Sequence, residues 1–139
     1  MKIKIILLST LIFGTIQSFA NTKSKAMKTI EITKSVHVNG NIEEVFKMVQ
    51  FLNNFPKWSP FLEEDPSQKY EVKGIDGEIG AQYHWEGNNG KDLGFQEIKK
   101  LTENKMILMQ CDIQKPFTAK PTFEYLFKED ENGVTVTQN

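Results

Sequence analysis

The best candidates for a general acid or base are Asp65, His84, Glu86 and Asp112. General acid-base catalysis needs such a group within hydrogen-bond reach of a substrate, usually inside a cavity. Side chains alternate between the two faces of a strand, so His84 and Glu86 are predicted on the outer face, opposite the aromatic residues beside them. Asp65 precedes a proline in a loop, where a carboxylate commonly forms a turn. The sequence therefore assigns no catalytic residue.

Cys111 is the only cysteine, and the two histidines, His37 and His84, are far apart. A reactive thiolate needs a nearby cation or histidine, which residues 109–113 do not supply. A small buried thiol in a strand is therefore predicted. A structural zinc site needs further Cys or His ligands at short spacing, so neither a metal nor a cofactor is expected. The sequence also lacks a Gly-x-Ser-x-Gly elbow, and Gly94 is typical of a hairpin.

Aromatic and apolar side chains could instead line a cavity for an apolar ligand. Those predicted to do so are Trp58, Phe61, Tyr83, Trp85, Phe95, Met109, Phe117, Phe123 and Tyr125. Trp58, Phe61 and Phe117 would close the mouth of the cavity, and the others would point inward from neighbouring strands. Cores use the same residue types as binding pockets, so ordinary core packing stays open as the alternative.

The segment 55–61, Phe-Pro-Lys-Trp-Ser-Pro-Phe, would hold part of this cavity in place. It is apolar enough to be buried and too rich in proline to continue a helix, so it predicts a fixed corner. Asn41 and Glu44 before it form an N-cap arrangement, and a helix is predicted to start there. The helix carries one apolar stripe, formed by Ile42, Val45, Phe46, Val49 and Leu52.

The rest of the chain alternates between apolar and polar residues as antiparallel strands do. One strand is predicted over residues 29–38, before the helix. Six more follow the corner, over residues 70–74, 81–86, 93–99, 106–113, 122–128 and 134–138. Short strands separated by turn residues indicate an antiparallel meander rather than parallel crossover units.

The N-terminus has the pattern of a secretory signal peptide. Lys2 and Lys4 precede an apolar run, and the small residues Ser18 and Ala20 come before Asn21. We predict a signal peptide over 1–20, a flexible linker over 21–27 and one domain over 28–139, in a protein that is periplasmic or secreted. The alternative is a membrane anchor, but about 20 predominantly apolar residues are needed to span a bilayer and polar residues interrupt this run. No stable membrane span is expected after cleavage.

The charge of the exported part argues against nucleic acid as a partner. Without Lys2 and Lys4 the chain carries 15 lysines, no arginine and 18 acidic residues, a formal charge of −3. Nucleic-acid-binding domains usually carry a basic excess and arginines that pair with phosphate or guanine. Nucleic acid is therefore a poor candidate partner, and the expected partner is a hydrophobic small molecule in the predicted cavity.

The order of elements and several motifs resemble the SRPBCC superfamily of START and Bet v1-like domains, in the branch often called polyketide cyclase or dehydratase. The motifs are Ile-Glu-Glu-Val-Phe at 42–46, Trp-Ser-Pro-Phe at 58–61, Asp-Pro at 65–66, the run 80–88, residues 95–98 and Lys-Pro-Phe at 115–117. The resemblance covers residue 28 to the end. It implies an α+β helix-grip fold, in which a curved seven-stranded antiparallel sheet and two short helices after the first strand enclose an apolar ligand.

The resemblance also implies a long C-terminal helix on the sheet, and this helix is expected to be missing. Residues 136–139 fall where the last strand finishes. Such a helix would bury about six large apolar side chains, on the order of 10 to 18 kcal/mol gross. Whole domains are stable by only about 5 to 15 kcal/mol. The chain alone is therefore expected to be unstable or to self-associate through the uncovered sheet face, and a truncated or frameshifted gene product is one explanation of the missing helix.

Three functions are consistent with these residues. The first is an exported protein that binds a hydrophobic ligand, either lipid-like or aromatic, in a cavity between sheet and helices. The alternatives are a polyketide cyclase or dehydratase-like enzyme, as the family resemblance implies, and a protein-interaction module that uses the exposed sheet face. One fold hosts many functions, so the resemblance does not choose among them.

Overall fold

Seven antiparallel strands form a single curved sheet in the computed structural model, which describes residues 29–139. The strands are β1 (Lys34–Val38), β2 (Lys69–Lys73), β3 (Gln82–Gly87), β4 (Asp92–Thr102), β5 (Met106–Lys115), β6 (Thr122–Asp130) and β7 (Gly133–Gln138). The helices are α1 (Ile42–Gln50), α2 (Phe55–Trp58) and α3 (Phe61–Glu64), with short 3₁₀ turns at Leu52–Asn54 and Asn88–Gly90. The predicted signal peptide and linker lie outside the described residues.

The strand order is β1-β7-β6-β5-β4-β3-β2. Strands β2 to β7 therefore form a meander of neighbouring hairpins, and β1 joins it beside β7. The pairing of β4 with β5 shifts register after Leu93 and again after Ile98. Such bulges bend a strand and increase its twist. The predicted α+β architecture, with short helices after the first strand, is confirmed.

The first strand is shorter than the sequence predicts. Residues 29–33 continue the alternating pattern, but β1 begins at Lys34. Lys34 pairs with Gln138, the last residue of β7, so the residues before it have no partner on that strand. Ile32 accordingly remains 64% exposed. Alternation alone predicted a longer strand because it takes no account of where the pairing strand ends.

Helix α1 begins as predicted, with Asn41 as its N-cap. The Asn41 side chain accepts a hydrogen bond of 2.8 Å from the backbone N–H of Glu44. The buried side of the helix packs on the sheet, where the Phe46 ring meets Phe127 edge to face at a centroid distance of 5.0 Å. The helix ends at Gln50, so Leu52 lies in the following 3₁₀ turn instead of the last turn of the predicted helix.

Asp76, in the loop between β2 and β3, fixes this 3₁₀ turn from outside. Its carboxylate accepts hydrogen bonds from the backbone N–H of Leu52 at 2.6 Å and of Asn53 at 3.2 Å, and from the Asn53 amide at 2.8 Å. The first N–H groups of a helical turn have no partner within the turn, so an outside acceptor stabilises them. The loop and the turn are thereby joined beside the buried Leu52.

The two faces of the sheet differ in polarity. The face that packs against α1 and α2, which we call the inner face, carries the largest fully buried side chains of the strands: Tyr83, Ile98, Ile107, Met109 and Val134. The outer face carries mostly polar residues. Across residues 29–139, the helices are all too short or too polar to cross a bilayer.

Replacing Asp76 with Ala should lower the free energy of unfolding by about 1 to 2 kcal/mol, because two backbone N–H groups lose their acceptor. Glu78→Ala is the matched control, since Glu78 is exposed in the same loop and should change stability by less than about 0.5 kcal/mol. Urea unfolding of both variants measures the difference. Equal stability of the two variants would show that the Asp76 cap contributes nothing.

Candidate functional site

The corner that the sequence predicted consists of two one-turn helices, α2 and α3, separated by Ser59 and Pro60. Phe55 is buried and contacts Trp58 and Tyr83, each at a ring-centroid distance of 4.9 Å. The Trp58 indole N–H donates a hydrogen bond of 3.1 Å to the Met48 carbonyl in α1. The corner is therefore fixed both to the sheet and to α1.

A cavity of about 270 Å³ lies between this corner and the inner face of the sheet. We call it the inner pocket. Its walls come from α2, α3, strands β3 to β6 and the loop after β5. The residues that line it are Phe55, Phe61, Gln68, Tyr83, Trp85, Asp92, Gln96, Cys111, Ile113, Pro116, Phe117 and Phe123.

The structure divides the predicted cavity residues between two places. Five of them line the inner pocket: Phe61, Tyr83, Trp85, Phe117 and Phe123. Trp58 and Tyr125 line a more open concavity of about 600 Å³ between β1, β7 and α1, which we call the outer groove. Their rings meet edge to face at 6.1 Å. The sequence predicted that Trp58 closes the mouth of the pocket together with Phe61 and Phe117. Trp58 lies in the outer groove instead.

Two other predicted residues lie away from both concavities. Met109 points inward but is 1% exposed and packed in the core. The inward placement predicted for Phe95 is wrong, because Phe95 lies on the outer face and stacks on His84 at 5.0 Å. Gln96 and Ile98 hold the buried positions of this strand. An aromatic residue therefore lies on the outer face while a glutamine faces the core.

Trp85 lies against the backbone of β4, where its cross-strand partner is Gly94. A Cβ atom on Gly94 would lie 2.5 Å from Cζ2 of the Trp85 ring and 2.5 Å from the Asp112 carbonyl oxygen, so a side chain does not fit there. The indole N–H donates a hydrogen bond of 3.0 Å to Asp92 Oδ1. Gly94 lies within β4 and not in a hairpin turn as predicted, and its role is to make room for the tryptophan.

Polar atoms form a row across the floor of the inner pocket. Tyr83 pairs with Gln96 across β3 and β4, and Gln96 pairs with Cys111 across β4 and β5. Burial raises the pKa of the Cys111 thiol to about 11, with Asp112 and Asp92 adding to the shift, and burial also raises the pKa of Tyr83. Both groups therefore stay protonated at neutral pH. The small buried thiol predicted for Cys111 is confirmed.

The acid-base candidates all lie away from the lining of the inner pocket, three of them on the outer face of the sheet. His84 pairs with Phe95, and Phe95 pairs with Asp112, which places these side chains on that face together. Glu86 follows the same alternation as His84. Asp112 Oδ2 lies 3.1 Å from Lys120 Nζ and forms an ion pair with it. The pKa of His84 is lowered, mainly by burial. The outer-face placement predicted for His84 and Glu86 is confirmed.

Asp65, the fourth candidate, joins two loops. Its carboxylate accepts hydrogen bonds from the Ser67 hydroxyl at 2.5 Å and from the Asn88 backbone N–H at 2.6 Å. These hydrogen bonds lower the pKa of Asp65, and the bond from the Ser67 hydroxyl has the largest effect. The turn-forming role that the sequence predicted is what the structure shows. Within residues 29–139, no three His, Cys, Asp or Glu side chains come together as metal ligands would.

Sequence reasoning missed several residues of the inner pocket, including Phe55, Asp92, Gln96 and Ile113. Ile113 was available from alternation, since it follows Cys111 by two positions. Phe55 was part of the predicted corner. No pattern in the sequence indicated Gln96, because a polar residue between Phe95 and Ile98 suggests solvent exposure.

Comparisons with known proteins support the fold. No protein-family model matches the chain, and no curated protein matches it either. Among solved structures, the Aha1 dimer from Colwellia psychrerythraea is 14% identical over 79% of this chain and 74% of that chain, with a TM-score of 0.54. Ara h 8.0201 is 13% identical over 77% of this chain and 72% of that chain, with a TM-score of 0.56. The chain has a Bet v1-like, helix-grip fold.

A protein from Rhizobium leguminosarum is similar to the same extent, with 12% identity over 77% of this chain and 72% of that chain and a TM-score of 0.59. Identities this low show the Bet v1-like fold alone. The function must be argued from the site, because one fold hosts many activities.

Replacing Gly94 with Ala should displace the Trp85 ring and lower the stability of this Bet v1-like domain by roughly 1 to 3 kcal/mol, because the added methyl group has no space. Urea unfolding and the near-ultraviolet circular dichroism of tryptophan measure the two effects. Gly40→Ala is the control, because only a Val45 methyl group approaches that position, at 3.3 Å. An unchanged tryptophan signal in Gly94→Ala would contradict the packing described for Trp85.

Proposed function

We propose that the protein binds a small, largely apolar molecule in the inner pocket. The observation that carries this proposal is the space of about 270 Å³ behind the corner, walled by the aromatic rings of Phe61, Trp85, Phe117 and Phe123. Ligand pockets usually measure roughly 300 to 1,000 Å³ and combine apolar walls with a few polar groups. This pocket is slightly smaller, so it suits a compact ligand such as a bicyclic aromatic compound rather than a long lipid chain.

Binding, and not catalysis, is the activity that the described residues support. General acid-base chemistry needs a titratable group beside the substrate. The four candidates, Asp65, His84, Glu86 and Asp112, do not line the inner pocket, and Asp92, the carboxylate that does, accepts the hydrogen bond of the Trp85 indole N–H. The thiol that does line it, Cys111, is held protonated by burial. The proposed ligand is therefore held by shape and apolar contact rather than transformed by these groups.

Tetralin, a neutral bicyclic hydrocarbon, tests the proposal by isothermal titration calorimetry of the purified protein. We expect a dissociation constant of about 10 to 300 μM, with the negative heat-capacity change of apolar burial. Ile113→Trp should fill the pocket and weaken binding at least about tenfold. Ile75→Trp is the matched control, since Ile75 is 68% exposed in the loop between β2 and β3. Absence of binding of both tetralin and its ketone α-tetralone to a folded wild-type protein would refute the proposal.

We also propose that the protein is exported, so that it meets its ligand outside the cytoplasm. Support comes from Lys2 and Lys4, the apolar run after them and the small residues Ser18 and Ala20. Expression in a bacterial host should give a mature protein that begins at Asn21, as measured by mass spectrometry of the periplasmic fraction. Replacing both Lys2 and Lys4 with Glu should slow processing, whereas Lys23→Glu should not. Intact chains starting at Met1 in the cytoplasm would contradict export.

A second proposal concerns the outer groove, for which we infer that a second copy of the chain is the partner. Val36, Met48 and Trp58 leave 59%, 40% and 37% of their surface exposed around this groove. Contiguous exposed apolar surface commonly marks an interaction site. The similar Aha1 structure from Colwellia psychrerythraea is a dimer. The groove therefore supports the self-association that the sequence led us to expect.

Size-exclusion chromatography with light scattering tests this association over a range of protein concentrations. We expect a concentration-dependent shift from monomer to dimer, because the buried surface would be apolar. Met48→Lys should shift the equilibrium to monomer by placing a charge in the groove, whereas Ile75→Lys, which does not line the groove, should not. A wild-type protein that stays monomeric at every concentration would rule out the dimer.

A further inference from the structure

Two residues that line the inner pocket each have a buried polar atom without a hydrogen-bond partner. These atoms are the Tyr83 hydroxyl and the Gln96 amide nitrogen, neither of which bonds to another atom of residues 29–139. Their side chains are 1% and 5% exposed. Buried polar groups in proteins are almost always paired, so each exception requires an explanation, and a bound molecule is one such explanation.

The two residues are neighbours on the sheet. Tyr83 and Gln96 are direct cross-strand partners on the inner face, and both line the same pocket. Side chains in this relation have Cβ atoms about 4.5 to 5.5 Å apart, so their ends can converge on a shared acceptor. The hydroxyl and the amide N–H are both hydrogen-bond donors. Burial keeps the Tyr83 proton in place by raising its pKa.

The charge of the pocket limits what that acceptor can be. Asp92 is the carboxylate among the lining residues of the inner pocket. The described lining contains neither Lys nor His. Asp92 also adds, after burial and Asp112, to the raised pKa of Cys111, which lines the same pocket. A carboxylate or phosphate on the ligand would therefore be repelled and would have no cation beside it. An uncharged oxygen would meet neither penalty.

We propose that the inner pocket selects an uncharged ligand with a carbonyl oxygen, and that the Tyr83 hydroxyl and the Gln96 amide donate hydrogen bonds to that oxygen. The chemical class is a compact apolar ketone, aldehyde or ester. This inference rests on the proposed binding function and adds the group that gives it specificity. A ligand without an acceptor leaves both donors unpaired, and a buried site rejects such ligands because unmade hydrogen bonds are costly.

The comparison of α-tetralone with tetralin tests this inference, since the two share their ring system and only α-tetralone has a carbonyl. Titration calorimetry of the purified protein should show α-tetralone binding about tenfold more tightly or better. Tyr83→Phe and Gln96→Met should each weaken α-tetralone binding about fivefold, whereas neither should weaken tetralin binding. Tyr125→Phe, in the outer groove, should alter neither.

The stability of the variants without ligand separates recognition from a structural role. Because the removed groups have no partner within the described part of the chain, Tyr83→Phe and Gln96→Met should unfold at the same temperature as the wild type or at a higher one. A lower unfolding temperature, with equal loss of affinity for both compounds, would show that the groups support the fold instead.

The remaining outcomes distinguish the inference from the proposed function. Equal affinity of the wild type for α-tetralone and tetralin would overturn the carbonyl specificity and leave the binding function in place. Binding of neither compound would overturn both. Tighter binding of α-naphthoate than of α-tetralone would overturn the requirement for an uncharged ligand.

Discussion

The contact of Phe55 with Tyr83 holds the corner against the sheet, and the inner pocket depends on it. Phe55 is almost fully buried between Trp58 and Tyr83, and Trp58 in turn is bonded to the backbone of α1. Two prolines prevent the segment from becoming one continuous helix, so the chain turns at this point. The corner is therefore held at a fixed position over the sheet, and the inner pocket stays open beside it.

On the sheet side of the inner pocket, the lack of a side chain at Gly94 is as important as the side chains around it. Gly94 lets the Trp85 ring lie on β4, and the indole N–H is held by Asp92. A large aromatic ring is thus removed from the middle of the pocket and becomes its wall. The inner pocket and the outer groove lie at different places on the same face of the sheet, the inner face. They are lined by different residues.

Two exposed carboxylates, Asp65 and Asp130, hold neighbouring segments of the chain together. Asp65 joins the loop before β2 to the hairpin after β3, and Asp130 accepts from the Asn132 backbone N–H and lies 3.4 Å from His37. Hydrogen bonds lower the pKa of both groups, led by the Ser67 hydroxyl at Asp65 and by the Asn132 N–H at Asp130. A lowered pKa means that the stabilisation is present above the ordinary value of 3.8 and is lost as the pH falls through the lowered one.

Much of the fold could be predicted from the sequence, because alternation and turn residues are local signals. They identified the strands, the N-cap at Asn41 and the outer-face position of His84. They failed where the answer depends on a partner strand: β1 is short because β7 ends, and Phe95 faces outward because Gln96 is turned inward. Alternation also gives a residue's face but not its position across the sheet, so it predicted Tyr125 in a pocket that Tyr125 does not line. Trp58 lies in α2, and the composition of the corner did not indicate which concavity its ring lines.

The most direct test of the central claim uses the two tryptophans as reporters, because Trp85 lines the inner pocket and Trp58 lines the outer groove. The indole N–H signals of ¹⁵N-labelled protein are followed by nuclear magnetic resonance during titration with tetralin. The account predicts that the Trp85 signal shifts in a saturable manner while the Trp58 signal stays in place. A shift confined to Trp58, or no shift at either indole, would contradict it.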